Sequence, residues 1–163
     1  EPGEVVERVV RRPHVMPGYS RNPEASERKL RSGRWPWERV MLTGDLFSYD
    51  DAGYLRFVGR RDDIIKSRGE KVAPREVEEA LCAFPGVREA AVIGMPDAVL
   101  GEAVHAHVSA KEGQELDPRD LRRHCAGLLE PHMVPKRVFV HDDLPRIGAG
   151  KIDKRALAGD EPR

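Results

Sequence analysis

Apolar residues in the first 42 positions are sparse and irregular, whereas from position 43 onward they recur at strand and helix spacings. Val5-Val6 and Val9-Val10, set among charges, predict a strand within residues 1–12. Residues 13–42 are rich in Pro, Gly, Arg and Ser around Trp35-Pro36-Trp37. They read mostly as loop, with a short helix near Pro23 to Leu30. Leu46 to Tyr49 and Tyr54 to Val58 flank Asp50-Asp51-Ala52-Gly53, where glycine takes the positive φ of a type I turn plus bulge. A β-hairpin follows.

Beyond the charged segment 59–71, Pro74 opens a helix through Phe84. Val77, Ala80, Leu81 and Phe84 recur at three- and four-residue spacing, and Pro85-Gly86 ends the helix. Val87 to Gly94 and Ala103 to Ala110 read as strands separated by Met95-Pro96-Asp97. Asp117-Pro118 caps a second helix running to about Leu129, and a last strand covers Arg137 to His141. The order strand, helix, strand, strand, helix, strand implies an α/β (α+β) unit over about 63–158, with helices over a small mixed sheet. A boundary is expected near Asp62. Residues 1–61 are too few and too loop-rich to bury a good core, and they read as the β-rich end of a larger domain.

Composition narrows the functional classes. Twenty-eight basic and 28 acidic residues cancel, so no global field favours nucleic acid or an anionic membrane, and phosphate recognition must come from local placement. No apolar run approaches the roughly 20 residues that span a bilayer, and the acidic start Glu1-Pro2-Gly3-Glu4 is unlike a signal peptide. The lack of an initiating Met gives the expectation of a fragment or a processed chain. Cys82 and Cys125 are too few and too far apart for a zinc motif, and read as reduced packing residues of a cytoplasmic protein.

Three islands carry candidate chemistry. In Thr43-Gly44-Asp45 the aspartate starts a strand, where its carboxylate can accept two hydrogen bonds from a vicinal diol such as ribose; local capping of backbone N–H groups is the alternative. In Gly59-Arg60-Arg61-Asp62-Asp63-Ile64-Ile65-Lys66-Ser67-Arg68-Gly69-Glu70, Arg60 ends the hairpin and can reach ribose or phosphate oxygens. Its alternative is a surface ion pair with Asp62, Asp63 or Glu70. Arg68-Gly69-Glu70-Lys71, taken alone, is a hairpin tip. Pro145-Arg146-Ile147-Gly148-Ala149-Gly150-Lys151-Ile152 is not a Walker A loop, since Pro145 and Ile152 replace its first glycine and its Ser or Thr. His105 and His107 share a strand face but lack a third ligand. Trp35 and Trp37 read as packing or interface anchors, Glu76, Glu78 and Glu79 as the acidic start of a helix, and Arg119 to Arg123 as a solvated face.

The order and wording of these islands resemble the adenylate-forming enzymes: acyl-CoA synthetases, peptide synthetase adenylation domains and firefly luciferase. Gly18-Tyr19 and Pro23-Glu24-Ala25-Ser26 extend the likeness almost to residue 1. Lys66-Ser67-Arg68-Gly69-Glu70-Lys71-Val72 is most similar to acyl-CoA and acyl-carrier-protein ligases. The resemblance implies that the chain comprises the end of the large adenylation domain, residues 1–61, and the mobile C-terminal lid domain, residues 62–163, with Asp62 as the hinge. It implies that Asp45 meets the ribose of ATP or AMP, with Thr43 and Arg60 also at the nucleotide. It further implies that Gly69, Arg68 and Lys71 face CoA or phosphopantetheine, and that Lys151 enters the site during adenylation. Mg2+ would be held mainly by the N-terminal adenylation portion, the chief partner. The other partners implied are a carrier protein or CoA and a small carboxylic acid, with neither nucleic acid nor a membrane span.

Two departures matter. Arg34 to Leu42 is longer than the usual run before Thr-Gly-Asp, with Leu42 where an aromatic or His is common. The family's Ser/Thr-rich phosphate loop and acyl pocket are not in this sequence, so the chain alone is expected to form no adenylate. The alternatives are a separately encoded or non-catalytic binding subunit that docks on an N-terminal half and a carrier protein, and a regulatory nucleotide-binding module.

Overall fold

A computed structural model describes residues 16–49 and 52–159; the strand expected over residues 1–12 lies outside them. The chain divides into two compact units between Asp62 and Asp63.

In the first unit, helix α1 (Pro23–Lys29) starts where the Asn22 side chain accepts a hydrogen bond from the Ala25 amide at 3.0 Å. It leads into β1 (Leu30–Ser32), which pairs antiparallel with β2 (Arg39–Met41). This hairpin lies in a stretch expected to be mostly loop. Strands of three residues are too short to show alternation, so the segment carried no strand pattern. The Trp35 and Trp37 rings at its tip stack 5.7 Å apart and are half or more exposed. A second hairpin joins β3 (Asp45–Tyr49) to β4 (Leu55–Arg60), as the sequence pattern implied, with a bulge between Leu46 and Phe47.

The second unit is a five-stranded mixed sheet with helices. Strands β5 (Ile65–Ser67) and β6 (Glu70–Val72) form a hairpin within the charged segment. Helix α2 (Pro74–Cys82) follows, then β7 (Val87–Asp97), β8 (Gly101–Ala110), α3 (Pro118–Leu128), β9 (Arg137–His141) and α4 (Lys154–Gly159). The sheet order is β6-β5-β8-β7, and β9 pairs parallel with β8.

Residues of β7 alternate between two apolar clusters, and those of β8 contribute to one of them. Val92, Val104, Ala106 and Val108 join Val77, Leu81, Leu121 and Cys125 of α2 and α3 in the main core. Each of these larger aliphatic side chains contributes about 1.5–3 kcal/mol by leaving water. Ala91 and Ile93 instead meet Leu144 and Leu157, with Ile152 and Met95 packed alongside. The segment carrying the C-terminal glycine-lysine motif is thereby seated on β7. That strand is an edge of the sheet, and its outward groups at Val92 are satisfied by side chains. The Val92 amide donates to Glu78 at 2.9 Å, and Lys154 Nζ donates to the Val92 carbonyl at 3.1 Å and to Glu78 at 2.7 Å.

Several expectations change. Met95-Pro96-Asp97 is not a break: these residues pair with Ala103, Glu102 and Gly101 and extend β7 by three positions. Proline is compatible with an edge strand because its missing N–H can fall on the open side. Helix α2 stops at Cys82, two residues short of Phe84, and Cys82 is exposed rather than packed, whereas Cys125 is buried. Helix α4 was unforeseen, since among its residues only Leu157 is buried and one apolar position gives no periodicity.

Candidate functional site

The Thr-Gly-Asp segment is shaped by its glycine. Gly44 is buried at φ +78°, and a Cβ there would sit 2.9 Å from Lys29 Nζ. Its carbonyl accepts from the Arg61 amide at 2.8 Å, tying the start of β3 to the end of β4. Thr43 Oγ1 accepts from the Asp45 amide at 3.1 Å. Asp45 and Arg60 are cross-strand neighbours, and Arg60 Nη1 lies 3.0 Å from Asp45 Oδ1. The ion pair considered for Arg60 therefore exists, but with Asp45 instead of Asp62, Asp63 or Glu70. The register explains it: residues opposite each other on antiparallel strands put their side chains together. Half exposed, the pair contributes at most about 1 kcal/mol and leaves the second Asp45 carboxylate oxygen and the other guanidinium donors for a ligand. Asp62 is exposed in a 3-10 turn, Arg61–Asp63, at the boundary between the units.

Arg68 and Gly69 are the two central residues of the β5–β6 turn, at φ 55° and 84°. Two positive φ values make the tight turn whose twist matches the flanking strands, and glycine at its second position follows from that geometry. The position where a Gly69 Cβ would lie is open, with nothing within 4 Å. Glycine is thus explained by backbone angle, not crowding. The Arg68 amide donates to the Leu100 carbonyl at 2.9 Å, so this turn leans on the β7–β8 connection. That connection is braced by Asp97, which accepts from the Val99 and Leu100 amides, both at 3.0 Å, and pairs with Lys136. The Lys136 ammonium first, then these two amides, hold the Asp97 carboxyl down at about 2.

Lys151 follows a turn at Ile147 to Gly150, in which the Gly150 amide donates to the Ile147 carbonyl at 2.8 Å and the Ile147 amide to the Lys151 carbonyl at 2.9 Å. Arg146 and Ile152 form a β-bridge below it. Among the described residues the Lys151 ammonium makes no ion pair or side-chain hydrogen bond, and the same holds for the Arg68 and Lys71 side chains; all three are exposed. An unpaired ammonium on a protruding tip is available to an anion brought to it.

Within the first unit, then, Thr43, Asp45 and Arg60 come together. Within the second, Arg68, Gly69 and Lys71 belong to the β5–β6 edge, while Lys151 belongs to the β7 side of the sheet. Surface clefts along α1 and β1 and beside the loop that follows β8 include none of them. His105 and His107 are both buried on one face of β8, where His107 shares a 2.9 Å hydrogen bond with His141. Among the described residues no group of three His, Cys, Asp or Glu side chains is arranged to hold a metal ion. Sequence reasoning passed over Arg146, which hydrogen-bonds the Gly150 carbonyl at 3.0 Å. It lay inside a quoted motif, but its ion-pair partner Glu89 is 57 positions away, a separation that no local spacing signals.

Comparison with known proteins places the sequence and fold in a family. Residues 76–151 match the AMP-binding enzyme C-terminal domain, a span that ends at Lys151. A long-chain-fatty-acid–CoA ligase from Yersinia pestis is 40% identical over 99% of this chain and 27% of its own length. ATP-bound MatB from Rhodopseudomonas palustris superposes with a TM-score of 0.79 at 37% identity, over 90% of this chain and 28% of that one. The o-succinylbenzoate CoA synthetase from Bacillus subtilis, in complex with its acyl-adenylate, gives 0.81 at 32% identity, over 100% of this chain and 32% of that one. The chain spans only about a quarter to a third of the length of the curated relatives it matches. It belongs to the adenylate-forming superfamily and corresponds to the C-terminal portion of its members.

Proposed function

We propose that this chain is the terminal part of an ATP-dependent ligase that joins a small carboxylic acid to a thiol through an acyl-adenylate. The observation that carries the reading is the exposed, unpaired Lys151 ammonium on a hydrogen-bonded glycine tip. In the first step a carboxylate oxygen attacks the α-phosphorus of ATP, the bond to the bridging oxygen breaks, and pyrophosphate leaves. Lys151 sits between the two anions, offsetting their repulsion and stabilising the charge that builds on the phosphoryl oxygens. Asp45 accepts hydrogen bonds from the ribose diol through its free oxygen. Arg60 holds the carboxylate in place and, with Thr43, completes the nucleotide contacts.

In the second step the thiol sulfur attacks the acyl carbon, the acyl–oxygen bond breaks, and AMP leaves. Here the β5–β6 turn serves: the open space at Gly69 admits the pantetheine arm close to backbone, and Arg68 and Lys71 meet its phosphates. Gly69 belongs to the β5–β6 edge of the sheet and Lys151 to a loop seated on β7, the opposite edge. One orientation of the domain does not serve both steps. We therefore place a pivot at Asp62, between residues 1–61 as the end of the large domain and 62–163 as the lid.

The relatives are named CoA ligases, which favours CoA over a carrier protein as acceptor. On the resemblance to adenylate-forming enzymes, magnesium is assigned mainly to the N-terminal remainder of the enzyme. No helix of the described residues is long and apolar enough to cross a membrane. We place the enzyme in the cytoplasm on its two free cysteines, Cys82 and Cys125. The chain alone forms no adenylate, and pyrophosphate exchange by the purified 163-residue chain would contradict this. The full-length protein tests the reading: Lys151→Ala abolishes most pyrophosphate exchange, and undiminished exchange overturns it.

A further inference from the structure

We infer that Arg146, gripped by Glu89 of β7, is a positioning residue that fixes the tip bearing Lys151. This deepens the reading above and rests on it for its catalytic consequence, though not for its structural one. Arg146 spans two partners with one guanidinium: Nη1 donates to the Gly150 carbonyl at 3.0 Å, and Nη2 pairs with Glu89. Asp143 Oδ1 lies 3.8 Å from the same Nη2, and is itself held by Arg88 at 2.8 Å.

The peptide group that follows Gly150 leads directly into Lys151. Holding the Gly150 carbonyl therefore holds the Cα from which the lysine projects. Gly150, at φ +76°, has no side chain of its own to hold that peptide, and the hydrogen bond from Arg146 adds to the two backbone bonds of the turn. Two backbone hydrogen bonds close the turn on itself, Gly150 N–H to the Ile147 carbonyl and Ile147 N–H to the Lys151 carbonyl. Neither ties it to the sheet: Gly148, Ala149 and Gly150 are exposed, and a Cβ at Gly148 or Gly150 would touch nothing. The apolar anchors, Leu144, Ile152 and Leu157, stop at the base of the loop. Among the described residues, the side chain that links the end of the tip to β7 is Arg146, through Glu89. A planar fork suits this task because both bonds form in one fixed geometry, which a lysine cannot reproduce.

The role predicts a specific division of effects. An ammonium that wanders by about 1 Å loses alignment with the transition state without changing how substrates bind. In the full-length protein, Arg146→Ala should lower kcat of pyrophosphate exchange about 10- to 100-fold, with KM for ATP and for the acid unchanged. Acyl transfer from supplied acyl-adenylate to CoA should proceed at its ordinary rate. Glu89→Gln should give a smaller loss of the same kind, and Arg146→Lys a partial recovery.

Amide hydrogen exchange on the 163-residue chain supplies a readout independent of catalysis. Arg146→Ala should speed exchange at Ile147 and Gly150 about 10-fold and leave β7 and β8 protected. Unchanged exchange at the tip overturns the clamp. Faster exchange at the tip with wild-type adenylation also overturns it, provided Lys151→Ala in parallel is inactive. If Lys151→Ala is active, the proposed function fails instead, and the exchange data alone judge the clamp. Exchange rising equally in β7 and β8 overturns the positioning role in favour of a general structural one.

Discussion

The two glycine-containing loops of the second unit are anchored to the rest of the domain in different ways. The β5–β6 turn is fixed by backbone: two residues at positive φ and a hydrogen bond to Leu100 hold it, and its side chains point away unengaged. The Lys151 tip also has two backbone hydrogen bonds, but it adds a side chain, Arg146, reaching from the loop's base to its end and to Glu89. Substitutions in the first loop should therefore act through conformational strain and those in the second through charge and geometry. If the loops serve different chemical steps, the two kinds of damage should also be separable kinetically.

The sharpest break comes from Lys151→Ala in the full-length protein. Removing a cation placed at developing negative charge should cost about 10²- to 10³-fold in the adenylation rate, read by pyrophosphate exchange. Acyl transfer from a supplied adenylate should hardly change.

Next in size is Gly69→Val. A β-branched residue at φ 84° is strained by about 1–3 kcal/mol, so denaturant unfolding of the 163-residue chain should show that loss. In the full enzyme thioester formation should slow while adenylation persists. Because nothing lies within 4 Å of the added Cβ, a loss far above this range would mean that crowding, not backbone angle, governs the turn.

Strong acid should loosen the β5–β6 turn. Asp97 braces the connection on which the β5–β6 turn leans, and its carboxyl is lowered from 3.8 to about 2, chiefly by Lys136. A depressed folded value means the stabilisation is fully present above about 4 and is lost as pH falls toward 2. Asp97→Asn should remove that stretch of acid sensitivity from the stability curve while leaving the Lys151 tip as protected as before.

The smallest effect is a gain. Arg68 is a non-glycine residue at φ 55°, and asparagine tolerates that region better. Arg68→Asn should raise stability of the chain by about 0.5–1 kcal/mol, seen as a higher melting temperature. A fall would show that the Arg68 side chain makes contacts that matter more than its backbone.

The parts of the fold legible in the sequence were those with periodicity. Helices α2 and α3, the β3–β4 hairpin and β9 announced themselves through spaced apolar residues, caps and turns. The three-residue strands β1 and β2 left no such mark, whereas the β5–β6 hairpin was legible through its turn, Arg68-Gly69-Glu70-Lys71. Pro96 misled because proline usually interrupts strands, yet β7 is an edge. For the candidate site, the glycines and single charges were legible because unusual backbone angles demand particular residues. The pairings were not. Asp45 with Arg60, Glu89 with Arg146 and Glu78 with Lys154 depend on strand register and sheet order, which no local window contains.

The central claim is that one small domain presents two loops to two successive reactions. Single-turnover measurement of adenylate formation and of acyl transfer in the same full-length preparation tests it most directly, using wild type, Lys151→Ala and Gly69→Val. The account predicts a crossed pattern, with the lysine variant deficient only in the first step and the glycine variant only in the second. Equal slowing of both steps by either variant would contradict it.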